Sequence, residues 1–180
     1  MIGSLADYIT TVNKDMPILV YEGLLLVLSL GVVVFISWKG VRKGFVLTAR
    51  LLLVELATFI FCSTVIFRNT GASCRYDFRP FWSYTAIQEG REELLVENIM
   101  NMVVFVPIGM LLGMGFAKWS WWKVIGVGCL LSMFIEAMQL VTKRGLAETD
   151  DLIHNTLGCI LGYIMVLGLK AIVRELIGEK

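Results

Sequence analysis

"LLSMFIEAMQLV", residues 130–141, is apolar enough to lie in hydrocarbon, yet it carries a carboxylate at Glu136 and an amide at Gln139. A carboxylate facing lipid at depth costs several kcal/mol, so such groups turn inward, meet a partner and mark function. Ser132, Glu136 and Gln139 follow one another at steps of four and three, which puts them in one stripe on one helix face. The segment therefore reads as a membrane-spanning helix with a polar stripe directed at other helices.

The rest of the chain fits that reading. Of 180 residues, 57% are hydrophobic and 17% charged, and the mean hydropathy is +0.77, too apolar for an ordinary soluble domain of this length. Five apolar stretches stand out: Ile18 to Trp38, Phe45 to Phe67, Leu94 to Phe116, Trp122 to Val141 and Leu152 to Val173. Each is about 20 residues or slightly longer, the length that crosses a hydrocarbon core of roughly 30 Å. The expected fold is all-α, a polytopic integral membrane bundle of about five transmembrane helices. The first stretch follows "NKDMP" and ends in "SWKGVRKG", without a basic leader or a small-residue cleavage pattern, and reads as a retained helix. Lys and Arg total 16 against 15 acidic residues, a net charge of +1 that gives no basis for a nucleic-acid partner. Cys62, Cys74, Cys129 and Cys159 form no CxxC pair; a bridge between Cys62 and Cys74 is left open.

Charge placement sets the expected orientation. Lys39, Arg42, Lys43, Lys118, Lys123, Lys170, Arg174 and Lys180 fall on one side, Lys14, Arg68, Arg75, Arg79, Arg91, Lys143 and Arg144 on the other. Four of the second set share the one long connection, residues 68–93, with Asp77, Glu89, Glu92 and Glu93, whereas "WKGVRKG" is short and purely basic. The N-terminus is accordingly placed outside and the C-terminus inside. Residues 1–74 read as an N-terminal two-helix region, 75–165 as a core of loop plus three helices, and 166–180 as a cytoplasmic-side tail.

Alternating crossings gather the polar residues at one membrane side, whichever side that is. Glu97, Asn98 and Asn101 begin the third stretch, Glu136 and Gln139 end the fourth, and Asp150, Asp151, His154 and Asn155 begin the fifth. Asn101, Phe105 and Gly109 form a stripe at steps of four, and Asp151, Asn155, Gly158 and Gly162 form another. "GMLLG" and "GCILG" are small-xxx-small patterns that allow backbones to approach, so the third and fifth helices are expected to pack directly, and Pro107 is expected to kink the third. Arg144 and Arg79 are the candidate partners of Glu136. Thr149 or Asp150 is the expected N-cap of the fifth helix.

The order and spacing of these residues resemble the VanZ-like membrane proteins. "RPFWSY" is similar to that family's aromatic loop element, "NIMNMVVFVPIGMLL" to N-x3-F-x-P-x-G-x-LL, "SMFIEAMQL" to S-x3-E-x2-Q, and "RGLAETDDLIHNTLGCILGY" to its last motif. Glu148 stands where the pattern has Asp, and His154 where it is apolar, so His154 reads as an interfacial histidine bonded to a carbonyl or facing headgroups. The resemblance implies a bacterial cell-membrane location and a link to resistance against the lipoglycopeptide teicoplanin. It implies a polar signature of Asn101, Ser132, Glu136, Gln139, Arg144, Asp150, Asp151 and Asn155, to which the long loop adds Arg79 as a candidate site residue.

Two functional classes compete on these residues. In the first, a non-catalytic outward-facing site binds an amphiphilic envelope component or the lipoglycopeptide itself, with Arg79 and Arg144 meeting anions, Trp82 and Tyr84 in the interfacial zone, and Asn101, Gln139 and Asn155 supplying directed hydrogen bonds. In the second, a membrane enzyme acts on a lipid-linked cell-wall precursor, with Glu136 or Asp151 as general base and Glu148 and Asp150 able to hold a divalent cation. No zinc motif, phosphate loop or Ser/His/Asp arrangement is present and no cofactor is implied. The expected partners are membrane lipids and one such amphiphile; the sequence is silent on oligomeric state. A transporter is disfavoured because the polar groups cluster at one end, with no midplane site.

Overall fold

The computed structural model describes residues 41–178. The expected helix over Ile18 to Trp38 lies outside the described residues. The other four apolar stretches each form a helix long and apolar enough to cross a membrane, Gly44–Ile66, Glu93–Gly115, Trp121–Thr142 and Thr149–Leu176. In chain order the elements are α1 (Val41–Phe61) with a closing π-helical turn (Cys62–Ile66), β1 (Tyr76–Asp77), α2 (Trp82–Gln88), α3 (Glu93–Gly115), α4 (Trp121–Thr142), β2 (Ala147–Glu148) and α5 (Thr149–Leu176).

The centre of the bundle is the pairing of α3 with α5. A Cβ placed on Gly109 would overlap the Cys159 carbonyl, one on Gly158 the Met102 carbonyl, and one on Gly162 the Val106 carbonyl. The two helices thus run parallel and touch through their backbones, as the two small-residue patterns predict; in lipid such contact replaces the hydrophobic drive that holds soluble helices together. Pro107 sits within α3, which continues as helix to Gly115. Ile60, Phe105, Ile108, Leu112, Val124, Ile135 and Cys159 form the buried apolar core around this seam. Val54, Leu130, Val141 and Leu176 are among the exposed apolar side chains, the surface a lipid-facing bundle presents.

At the C-terminal end of α3, two cations satisfy carbonyls that lack helical partners: Arg50 Nε donates to Gly115 (3.0 Å) and Lys170 Nζ to Gly113 (2.8 Å). At the opposite end α1 widens into its π turn. Ser63 Oγ and Thr64 Oγ1 both donate to the Ile60 carbonyl (2.9 and 2.7 Å), and Phe67 N–H bonds Cys62 O (2.9 Å), a five-residue step. Two successive hydroxyls competing for one carbonyl loosen the regular ladder there. Carbonyls of the widened turn are then available to α4.

The long connection is more ordered than its composition suggests. Gly71 N–H donates to Lys143 O (2.7 Å), Ala147 N–H to Arg75 O (3.1 Å), and Tyr76 and Asp77 pair in parallel with Ala147 and Glu148. This short ladder ties the α1–α3 connection to the α4–α5 connection. Cys74 Sγ lies 3.5 Å from the Leu140 carbonyl as a thiol, so the bridge to Cys62 is not formed.

Replacing Gly162 by Ala forces a methyl into the Val106 carbonyl, and overpacking of this kind costs about 1–3 kcal/mol. Thermal unfolding in detergent should show a clear loss for Gly162→Ala and none for Gly126→Ala, where no atom lies within 4 Å of the new methyl. Equal melting of the two variants would contradict the seam.

Candidate functional site

The polar residues of α3, α4 and α5 converge at one end of the bundle, two pairs of them bonded to each other and most of the others bonded to the connecting segments. Asn101 Nδ2 donates to Asp151 Oδ1 (2.7 Å), joining α3 to α5. Asn155 Nδ2 donates to Ser132 Oγ (2.9 Å), joining α5 to α4, with both residues buried. Gln139 Nε2 donates to the Thr64 carbonyl of the π turn (3.2 Å). Arg144 follows it there, with Nη1 donating to the carbonyls of Val65 (3.4 Å) and Ile66, and Nε to Thr70 Oγ1 (3.2 Å). These pairs satisfy groups that hydrocarbon would otherwise strand.

Glu136 meets neither expected arginine. Its Oε2 accepts the backbone N–H of Glu148 (2.9 Å), so the α4 carboxylate fixes the strand that leads into α5. Arg144 is turned to the π turn, and Arg79, with 78% of its side chain exposed, grips Asp77 instead (3.0 and 2.5 Å). That grip holds the Asp77 carboxyl below the usual carboxylate range.

Asp150 also departs from expectation. The residue flanking the start of α5 is Glu148, without a side-chain cap, and the Asp150 carboxylate leaves its own helix to serve another. It accepts Phe81 N–H (2.5 Å), Ser83 N–H (2.9 Å) and Ser83 Oγ–H (2.5 Å), all at the start of α2. Phe81 has φ of 62°, a left-handed conformation that these bonds hold in place. Asn98 Nδ2 donates to Ser83 Oγ (3.0 Å) and extends the network to α3. With no exposed surface and three donors, Asp150 serves as a structural anchor for α2.

α2 is held at two further points. His154 is buried, not facing headgroups, and its Nε2 pairs with Tyr84 Oη (2.9 Å). Trp82 Nε1 donates to Glu148 Oε2 (3.1 Å), and the Arg91 guanidinium lies over the Trp82 ring (5.1 Å). "PFWSY" is therefore a helix start docked through its polar atoms onto α3, α5 and β2.

Docking α2 and β1 leaves a cleft of about 430 Å³ at this end. Its walls carry four cations, Arg68, Arg75, Arg91 and Lys143, and three carboxylates, Glu97, Glu148 and Asp151, with Trp82 beside them. Of the predicted site residues only Asp151 lines it; Asn101 lies behind Asp151, Arg79 stands outside it, and the others build the frame. The four cations were legible in the sequence as charges of one long connection and of "TKRG". Nothing in their spacing showed that they face one another, because that depends on the β1–β2 pairing. Among the described residues no group of three acidic, His or Cys side chains is arranged to hold a metal ion.

Glu148 has the most altered acidity outside the spanning segments. Burial first, then the negative charges of Asp151 and Glu97, push it from 4.5 to about 8, against the donation from Trp82. In that interval the folded protein holds a proton the unfolded chain has released, so stability falls as pH rises from about 4.5 through about 8. Glu148→Gln keeps the Trp82 bond without the proton, and its chemical-denaturation midpoint should decline less steeply over that window than the parent's; identical slopes would contradict the assignment. Asp150→Asn should cost about 2 kcal/mol, within the range for hydrogen bonds to a charged group. It should also make Arg91, just beyond α2, a quicker target for trypsin, whereas unchanged cleavage would mean that α2 is held some other way.

The family model for VanZ/LLP1 matches residues 45–172. Protein VanZ of Enterococcus faecium is 32% identical over 66 residues, 37% of this chain and 41% of that protein, so the match spans about two fifths of the relative's length. No solved structure matches the chain.

Proposed function

The chain belongs to the VanZ/LLP1 family, and from that premise we propose that its cleft binds an amphiphilic component of the bacterial envelope, or the lipoglycopeptide teicoplanin, and so contributes to glycopeptide resistance. In this reading the cleft faces outward, the N-terminus lies outside and the C-terminus inside the cell membrane. The observation that carries it is the cleft itself, where four cations and Trp82 line one space at the end of a bundle of four helices apolar enough to span a membrane. Basic and aromatic side chains at that level suit a ligand with a polar head and an apolar body. The polar residues of "SMFIEAMQL" and "DDLIHN" support the reading indirectly. Asp151 apart, they position the cleft and do not line it.

A membrane enzyme acting on a lipid-linked envelope substrate is the second reading, favoured by one feature: Glu148 and Asp151 line the same cleft as the cations. A carboxyl poised near neutrality suits proton transfer. The two readings part at Glu148→Gln, which abolishes an acid–base reaction and only weakens binding.

Teicoplanin sensitivity of cells expressing each variant at matched membrane levels is the test. Removing one charge-assisted hydrogen bond costs about 1.5–3 kcal/mol, roughly tenfold or more in affinity. Arg68→Ala/Arg91→Ala should bring cells back toward the vector control, whereas Arg79→Ala, outside the cleft, should retain resistance. Full resistance in the double variant would overturn the proposal.

A further inference from the structure

The four cleft cations face three carboxylates without pairing with them. Among the described residues the single ion pair within 4 Å is Arg79 with Asp77, which stands outside the cleft. Arg91 is committed to the Trp82 ring face, which leaves its charge intact. The cleft therefore carries net positive charge with unpaired donors, and protonation of Glu148 increases the excess at neutral pH.

A second cavity of about 260 Å³ is lined mainly by apolar side chains, Phe78, Met133, Ala137, Leu140 and Leu152 among them, with Glu136 and Glu148 also in its wall. Phe78, Met133 and Ala137 are exposed on the face where α4 would meet the bilayer. Met133, Ala137 and Leu140 belong to a helix apolar enough to span the membrane, so the groove opens toward hydrocarbon and suits an acyl or prenyl chain. Glu148 lines both cavities, which places the cationic cleft next to the apolar groove.

We propose that the ligand is a phosphate-bearing lipid, bound with its phosphate among Arg68, Arg75, Arg91 and Lys143 and one chain in the groove between Phe78 and Leu152. This rests on the binding reading above and narrows it to one chemical class. Phosphate is the anion that matches several guanidinium forks at once, and a cleft of this size accommodates a further headgroup beyond it. The chain fixes orientation: head toward the α1–α3 connection, tail along α4 and α5.

The purified full chain in detergent can be challenged with dioleoylphosphatidic acid, dioleoylphosphatidylcholine, glycerol 3-phosphate and teicoplanin, with adducts counted by native mass spectrometry. Phosphatidic acid should bind about tenfold more tightly than phosphatidylcholine and far more tightly than glycerol 3-phosphate. Arg68→Ala/Arg91→Ala should remove that preference, and Ala137→Phe, which fills the groove, should weaken phosphatidic acid but leave glycerol 3-phosphate unchanged. Circular dichroism and gel filtration establish that both variants fold. Equal binding of the two lipids, or an Ala137→Phe variant indistinguishable from the parent, overturns the proposal. Teicoplanin binding without phosphatidic acid preference refutes this narrowing and leaves the binding reading standing, whereas binding of neither refutes both.

Discussion

Where Gly158 and Gly162 meet the carbonyls of Met102 and Val106, and Gly109 meets Cys159, two helices approach until no side chain separates them, and that contact sets the relative height of everything above it. Asn101 reaches Asp151 because α3 and α5 are locked in this register. Asn98 reaches Ser83, and through it Asp150, for the same reason. A slip of one turn, about 5.4 Å, would strand each of these groups. The cost of burying polar atoms unpaired in hydrocarbon therefore reinforces the packing that aligns them.

A second layer of order depends on the first. α2 is too short to hold itself, and its start adopts a left-handed residue at Phe81, yet three acceptor contacts from Asp150 secure it. β1 and β2 add backbone bonds that bring Arg75 alongside the α4–α5 connection. The cleft is the space that remains between these fixed pieces. Arg68, Arg75 and Lys143 sit on segments whose backbone is committed while their charged ends make no ion pair among the described residues, which suits a binding surface on a rigid support.

Much of this was legible in the sequence, for identifiable reasons. Helical period and span length reveal α1, α3, α4 and α5, and the polar stripes place Asn101, Ser132, Asp151 and Asn155 at one end on facing helices, while the pairing of Asn101 with Asp151 and Ser132 with Asn155 is seen only in the structure. The partners of Glu136, Asp150 and Arg144 were not legible: each bonds backbone N–H or carbonyl groups, at Glu148, Phe81 and Ile66. A backbone group has no letter in a sequence. The π turn at Cys62 to Ile66 was hidden likewise, although Ser63 and Thr64 side by side at the end of an apolar run are its local cause. The cleft cations stood in plain view, but their convergence is a property of the β1–β2 register.

Distance between the polar stripes inside a native membrane is the most direct measurement of the central claim, that α3, α4 and α5 bring their polar groups together at one end. Cysteines introduced in pairs at Asn101 with Asp151 and at Ser132 with Asn155, in a background with the native cysteines replaced, should cross-link rapidly with a short thiol-specific bridge. The pair Leu95 with Ile172, exposed positions at opposite ends of the same two parallel helices as the first pair, serves as the reference and should remain uncoupled. Failure of both polar pairs to link, with the reference pair no slower, would mean that these groups point apart and that the frame of the cleft does not exist.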